Sequence, residues 1–196
     1  FLKSDLVDKI LKSWGDGRKA LDWAENQLTG ELRCSAVAGA LGILVRSEPD
    51  AAFDYLEKMT AGKMRSLTVS NLFASWGSQD PETALSRAKE LTPKEARSAT
   101  EHVLRGWATI DPNAAAAWVL KTAPTDGIWI AGVFQSWTTK SPKQAQRWFD
   151  SLSEGDAKKT AYALQNWVSD SRISMPVFSR RDVIRDNSWA AKPVSE

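Results

Sequence analysis

The chain has 196 residues and a formal net charge of +2, since 26 Lys and Arg face 24 Asp and Glu. Such a balance argues against a nucleic-acid or anionic-membrane binder, which needs a dense basic face. One cysteine, Cys34, and one histidine, His102, exclude an internal disulfide framework and a Cys/His zinc site. No apolar run approaches the roughly 20 residues that span a bilayer, so we expect a soluble chain that needs no cofactor or metal.

An internal repeat explains most of the tryptophans. We define the anchors as residues that recur every 30 to 32 positions: Trp14, Leu44, Trp76, Trp107, Trp137 and Trp167. A fixed period of this length indicates a repeat architecture. The residues before Trp14 follow a helical spacing of apolar side chains (Leu2, Leu6 and Ile10).

The first helix of each repeat is predicted to begin five residues after the anchor. Prolines stand there at Pro49, Pro81, Pro112 and Pro142, each preceded by Glu, Asp or Ser. Proline at the first helical position after a capping side chain is a helix start. The first repeat has Asp16 and Gly17 instead. An alanine follows three residues later (Ala20, Ala52, Ala84, Ala115 and Ala145), which we expect at helix contacts.

A second helix of each repeat is predicted to start after a hydroxyl residue: Thr29, Thr60, Thr92, Thr125 or Ser153. Both Thr92 with Glu95 and Ser141 with Gln144 match the capping-box pattern. Each repeat is therefore predicted to be two antiparallel helices. The predicted fold is all-α, a right-handed α-solenoid of about five helix pairs with a period of 30–32 residues over residues 1–169.

The period is lost over residues 170–196. Ser179 and Asp182 favour a short cap helix that would cover the last apolar face, since the end of a solenoid otherwise exposes one. A tail that leads to a further domain is the alternative.

The pattern of anchor, Asp-Pro, Ala and aromatic residue over residues 14–168 resembles the α-solenoid superfamily of tetratricopeptide, Sel1-like and HEAT-type repeats. It is most similar to the short Trp-x(3)-Asp-Pro repeats of bacterial proteins of unassigned function. The repeats are shorter than the about 34 residues of a tetratricopeptide and lack its Gly-Tyr signature. The resemblance implies an architecture, and it implies no ligand.

Three features are candidate binding sites, and the first is a row of basic residues. Arg33, Arg65 and Arg97 recur at 32-residue steps early in the second helices, with Lys158 and Lys159 later. If aligned, they would form a stripe for carboxylates or phosphates. The alternative is that they pair with acidic neighbours, for which Glu31, Asp54 and Glu95 are available.

Two single residues also depart from the repeat. Arg87 takes a position held by an aromatic ring in Trp23, Tyr55, Trp118 and Trp148, and either reaches out of a groove or lies along its neighbours. Trp129 stands where other repeats have mostly small residues. It is either a binding platform or a filler of a wider gap, and packing is favoured.

The sequence predicts no catalytic set. His102 lies beside Glu101, but no nucleophile or metal-binding set accompanies it, so we interpret it as a surface or interface residue. We interpret Cys34 as a buried, inert thiol. The favoured hypothesis is a non-catalytic scaffold for a protein or peptide partner. The alternative is nucleic-acid or other polyanion binding along the basic stripe. An α/α enzyme ranks lowest.

Overall fold

The computed structural model describes residues 7, 9–11, 13–153 and 155, and their regular secondary structure is entirely α-helical. The all-α prediction is confirmed for this part of the chain. The segment 170–196, the boundary at residue 169, and Lys158, Lys159 and Trp167 lie outside the described residues. The helices are α1 (Gly17–Gln27), α2 (Gly30–Leu44), α3 (Pro49–Lys58), α4 (Lys63–Gly77), α5 (Pro81–Ala88), α6 (Pro93–Ile110), α7 (Pro112–Thr122), α8 (Gly127–Lys140) and α9 (Pro142–Asp150).

The predicted proline starts are confirmed, because α3, α5, α7 and α9 each begin at the proline. Asp80 accepts a hydrogen bond from the Thr83 N–H at 3.1 Å, and Asp111 accepts one from the Ala114 N–H at 3.0 Å. Each carboxylate thereby satisfies an N–H that lacks a partner within the helix. Glu48 stands at the same place but makes no such bond.

Two of the predicted second-helix starts are wrong. Helix α4 begins at Lys63 after Gly62, not after Thr60. Helix α8 begins at Gly127 after Asp126, not after Thr125, because the Asp126 carboxylate accepts the N–H groups of Ile128 and Trp129. Asp and Gly are both good N-caps, and here they stand closer to the helix than the threonines.

The two capping boxes were predicted at the correct N-cap positions, but the predicted hydrogen bonds from the helix N–H groups to the N-cap side chains are absent. Thr92 and Ser141 are the N-caps of α6 and α9, but neither side chain accepts an N–H of its helix. The Thr92 hydroxyl instead donates to the Glu95 carboxylate at 2.9 Å. The helix geometry of α6 is therefore set without the first half of the box.

The chain divides into two compact units, Phe1–Trp118 and Val119–Glu196. In the first unit, α1 packs on α2 and α5 packs on α6, while α2 contacts α4 and α4 contacts α6. We call α2, α4 and α6 the B helices and α1, α3 and α5 the A helices. The B helices form a row in chain order. The alanines at the repeated helix position, Ala20, Ala52 and Ala84, are fully buried. Phe53, Leu72 and Leu104 are also in the core.

Glycines allow the B helices to approach closely. A methyl group on Gly106 would lie 2.0 Å from the Ala74 carbonyl oxygen, and one on Gly77 would lie 2.3 Å from the Val103 carbonyl oxygen. Both distances are far inside van der Waals contact. Only glycine therefore fits at positions 77 and 106, where α4 and α6 meet.

Five side-chain interactions in the first unit join residues about one period apart. The pairs are Arg18 with Glu48, Tyr55 with Glu25, Arg65 with Glu95, Lys63 with Glu31, and Ser75 with Gly42, separated by 30 to 33 positions. Each pair connects one helix pair with the next along the chain. The ion pair with Arg18 also explains why Glu48 does not cap α3: its carboxylate accepts hydrogen bonds from the Arg18 guanidinium instead of from an N–H of the helix.

The unit Val119–Glu196 contains α8 and α9, which pack on each other. Their contact is aromatic: the ring centroids of Phe134 and Phe149 are 5.0 Å apart, and those of Trp137 and Trp148 are 5.6 Å apart. Ala145 lies fully buried between these rings in sequence.

The anchors do not share one environment. Leu44, Trp76 and Trp137 are nearly fully buried, and Trp107 is partly buried. Trp14 is 41% exposed and meets Trp23 edge to face at 5.3 Å. Among the described anchors, the first therefore packs less completely than the later ones.

Candidate interaction surface

The predicted basic stripe is centred on Arg65, which is bound on all sides. Its guanidinium donates to Glu95 at 2.5 and 3.3 Å, and to the carbonyl oxygens of Leu56 at 2.5 Å and Met59 at 3.1 Å. The side chain is only 13% exposed. Hydrogen bonding to Arg65 holds the Glu95 pKa below its usual value. The Arg65 guanidinium therefore serves the fold and has little capacity left for a ligand.

The neighbouring cations of the stripe are not equivalent to Arg65. Lys63 forms an ion pair with Glu31 at 2.6 Å. Arg33 is exposed, and no described carboxylate lies within ion-pair distance of it. Arg97 is exposed near the start of α6. Arg65 is thus engaged by the fold, whereas Arg33 has no described carboxylate partner, so the two arginines differ in their availability to a ligand.

Tyr55 lies close enough to Arg33 to feel its charge and binds the carboxylate of Glu25. The Tyr55 hydroxyl donates to Glu25. Burial, followed by this hydrogen bond, raises the pKa of Tyr55 to about 12, while the positive charge of Arg33 acts in the opposite direction. The phenol is therefore a neutral donor at all ordinary pH values.

Arg87 occupies the aromatic position by covering a ring. Its guanidinium lies 5.3 Å from the centroid of the Phe53 ring. It also pairs with Asp50 at 2.6 Å and Glu90 at 3.2 Å. A flat cation over a ring face is an attractive arrangement, so Arg87 replaces an aromatic side chain and bridges α5 to α3.

Trp129 lies in the first turn of α8, in the unit Val119–Glu196. Its backbone N–H donates to Asp126 at 3.2 Å. The residue is half-buried and its indole nitrogen is shielded from solvent. The half-buried side chain favours the packing interpretation of Trp129.

A surface that the sequence analysis did not single out runs across the row of B helices. At its first junction, where α2 meets α4, the Ser75 hydroxyl donates to the Gly42 carbonyl at 2.5 Å. Arg46 Nε reaches Ser75 Oγ at 3.5 Å. A methyl on Gly42 would lie 3.3 Å from the Asn71 carbonyl oxygen. Gly42, Arg46, Asn71 and Ser75 therefore lie at the contact between α2 and α4, which we call the first junction. Gly42 is buried there, and Arg46 and Asn71 are exposed.

The second junction, where α4 meets α6, repeats the first 31 or 32 positions further along. Ala74 corresponds to Gly42, Ser78 to Arg46, His102 to Asn71 and Gly106 to Ser75. A methyl on Gly106 would lie 2.0 Å from the Ala74 carbonyl oxygen and 3.0 Å from the Ser78 nitrogen. The same helix faces thus meet at both junctions, and His102 takes the place of Asn71.

His102 is held neutral by its surroundings. Burial, and next the charge of Arg105, lower the pKa of His102 to about 4. Arg105 pairs with Glu101 at 3.0 Å, one turn away on α6. Its Nε is buried and has no acceptor among the described residues. A neutral imidazole presents one donor and one acceptor, as the amide of Asn71 also does.

The two junctions offer hydrogen-bonding groups rather than reactive ones. Arg46 and Asn71 are exposed, and His102 is partly exposed. No described carboxylate pairs with Arg46. The described residues contain no group of three His, Cys, Asp or Glu side chains that would hold a metal ion.

None of the described helices combines the length and apolar character needed to cross a membrane. No protein-family model matches the chain, and neither the curated proteins nor the solved structures yield a match. The candidate surface is therefore argued from its own residues.

Proposed function

We propose that the chain is a right-handed α-solenoid of about five helix pairs, of the tetratricopeptide, Sel1 and HEAT type, and that it acts as a non-catalytic scaffold for a protein or peptide partner. One observation carries this proposal: several side-chain bonds in the first unit join residues about one period apart, such as Tyr55 with Glu25 and Arg65 with Glu95. Contacts limited to neighbouring repeats are what define a solenoid.

The distribution of charge supports a protein partner over a polyanion. Lys63, Arg65 and Arg87 are paired with carboxylates. A cation that is already paired has little to gain from a phosphate, and affinity for nucleic acid grows with the number of cations engaged. The junctions instead present neutral amide, hydroxyl and imidazole groups, which match the polar groups of a polypeptide.

In-cell crosslinking tests the scaffold proposal. The full chain is expressed in its source organism with a photoreactive amino acid at Ser70, which lies on a B helix, or at Asp54, which lies on an A helix. We expect one partner to be captured reproducibly, and more of it from one face than from the other. If no protein is crosslinked at either position, and the purified chain turns over a small molecule, the proposal is refuted.

Filter binding separates the polyanion alternative. We expect no retention of single-stranded RNA or duplex DNA at about 50 mM salt, where electrostatic binding is strongest. Retention that falls steeply between about 50 and 200 mM salt would favour nucleic acid instead.

A further inference from the structure

The two sides of the first unit are packed differently, because the B helices touch through their backbones and the A helices stand further apart. A methyl group on Gly77 would lie 2.3 Å from the Val103 carbonyl oxygen, and one on Gly106 would lie 2.0 Å from that of Ala74. Successive B helices pack along their length, whereas the A helices pack on B helices rather than on one another. The first unit is therefore narrow on the side of its B helices and wide on the side of its A helices.

Long side chains bridge the wide side. The pairs are Arg18 with Glu48 and Tyr55 with Glu25, which join α1 to α3, and Arg87 with Asp50, which joins α3 to α5. We call these pairs the A-side bridges. They join neighbouring A helices across a gap that their backbones do not close.

The two sides are held by different forces. The side chain of Arg18 is 66% exposed and that of Asp50 is 76% exposed, and ion pairs in water are weak and screened by salt. Backbone contact over small residues depends on dispersion, which salt leaves unchanged. The B side also has an ion pair between Arg65 and Glu95, but this pair is largely shielded from solvent. Screening therefore loosens the wide side and leaves the narrow side in contact.

We propose that the first unit bends at the contacts between its B helices, and that the A-side bridges set the angle of the bend. Packed helices lie about 8–10 Å apart, so a rotation of about 10° at one B-helix contact moves the neighbouring A helices apart by about 2 Å. An arginine side chain follows such a change by rotating about its own bonds. Two contacts in series, α2 with α4 and α4 with α6, give about 3–4 Å between α1 and α5.

This inference goes beyond the proposed function, because it concerns the first unit whether or not a partner binds. Its consequence is a surface whose curvature changes with the state of three side-chain pairs. Ionic strength, or any ligand that competes for one member of a pair, would then change the spacing of the A helices without separating the B helices.

The test measures distances on both sides of the full chain by double electron–electron resonance. Cys34 is replaced by serine, and spin labels are attached to introduced cysteines. The A-side labels are placed by Asp22→Cys and Ser86→Cys, at exposed positions of α1 and α5. The B-side labels are placed by Ser35→Cys and Ser98→Cys, at partly exposed positions of α2 and α6. Circular dichroism verifies that each variant is folded.

We expect the A-side distance to lengthen by about 3–4 Å between about 50 mM and 1 M potassium chloride, and the B-side distance to change by less than about 1 Å. Arg18→Gln combined with Arg87→Gln should lengthen the A-side distance already at low salt and remove most of its response to salt. The matched control is Lys19→Gln, which removes the same charge from α1 but breaks a pair with Asp16 at the start of the same helix. This control should leave both distances within about 1 Å.

Three results would overturn the inference. If both distances lengthen equally, the first unit loosens as a whole and has no hinge on the B side. If neither distance responds to salt or to loss of the arginines, the A-side bridges do not set the bend. If Lys19→Gln acts like the double variant, the response comes from general charge. None of these results affects the scaffold proposal, which is tested separately by the capture of a partner.

Discussion

Arg65 and Glu95 lie 30 positions apart and form a two-pronged ion pair between the B helices α4 and α6, with Nε–Oε1 at 2.5 Å and Nη2–Oε2 at 3.3 Å. Both side chains are largely shielded from solvent. The same guanidinium also closes the C-terminal end of α3 through the carbonyl groups of Leu56 and Met59. A single side chain thus connects one A helix and two B helices.

Replacing Arg65 should therefore destabilise the fold. Arg65→Ala leaves a partly buried carboxylate and two carbonyl groups without their donor, so we expect the free energy of unfolding to fall by about 2–3 kcal/mol. Urea denaturation followed by circular dichroism measures this. The control, Arg33→Ala, removes an exposed arginine of the first unit and should change stability by less than about 0.5 kcal/mol. Equal effects of the two variants would contradict the structural role of Arg65.

Gly106 should not tolerate a side chain. Gly106→Ala places a methyl 2.0 Å from the Ala74 carbonyl oxygen, so α4 and α6 must move apart. We expect a loss of about 1–3 kcal/mol in the free energy of unfolding. Gly39→Ala is the control, because its methyl meets only the flexible end of Leu11 at 3.1 Å. Thermal or urea unfolding compares them, and a neutral Gly106→Ala would mean that the helices do not approach this closely.

His102 should make the fold sensitive to acid. Its pKa is lowered to about 4 in the folded protein, from 6.5 when exposed. Below pH 6.5 the unfolded chain therefore binds more protons, and stability is lost as the pH falls from 6.5 to 4. The loss reaches at most about 3 kcal/mol. The shift is measured directly by nuclear magnetic resonance, since the chain has a single histidine.

A His102→Gln variant separates this effect from the carboxylates. Glu48 and Glu95, whose pKa values are lowered by Arg18 and Arg65, also lose stabilising contacts in acid, and they remain in the variant. The variant should show a weaker dependence of unfolding free energy on pH between 6.5 and 4. A His102 pKa near 6.5, or identical pH profiles, would show that the ring is not desolvated.

Arg87 should act through both its charge and its contact with Phe53. Arg87→Ala removes the cover of the ring and the pairs with Asp50 and Glu90, and we expect a loss of about 1 kcal/mol. Arg87→Met keeps an unbranched chain over the ring and should lose less. Chemical denaturation at low and high salt compares the two. If both lose equally, the ring contact contributes nothing.

The sequence predicted those features that depend on local chemistry and on the period. The helix starts at Pro49, Pro81, Pro112 and Pro142 follow from the missing proline N–H, and the burial of Ala52 and Ala84 follows from helix contacts. The alternative that the basic residues pair with acidic neighbours also correctly included Glu95 as the partner of Arg65.

Features set by the register between helices were not predictable in this way. Helix α4 begins at Lys63, later than predicted, because Gly62, and not Thr60, is the N-cap. Arg33 and Arg65 share a repeat position, yet only Arg65 meets an acid, because Lys63 takes the place that Glu95 holds one repeat later. The two junctions could not be predicted either, because the contact of Gly42 with Asn71 joins two helices, and residue spacing within one helix does not show which residues of another helix it meets.

Crosslinking mass spectrometry of the full chain tests the central claim, that helix pairs touch only their neighbours along the sequence. With a short lysine-to-carboxylate reagent, we predict that crosslinks concentrate near zero and one period of separation, as for Lys63 and Glu31 at 32 positions. Abundant crosslinks between residues two or more periods apart would show helix pairs folded back on one another and would contradict the account.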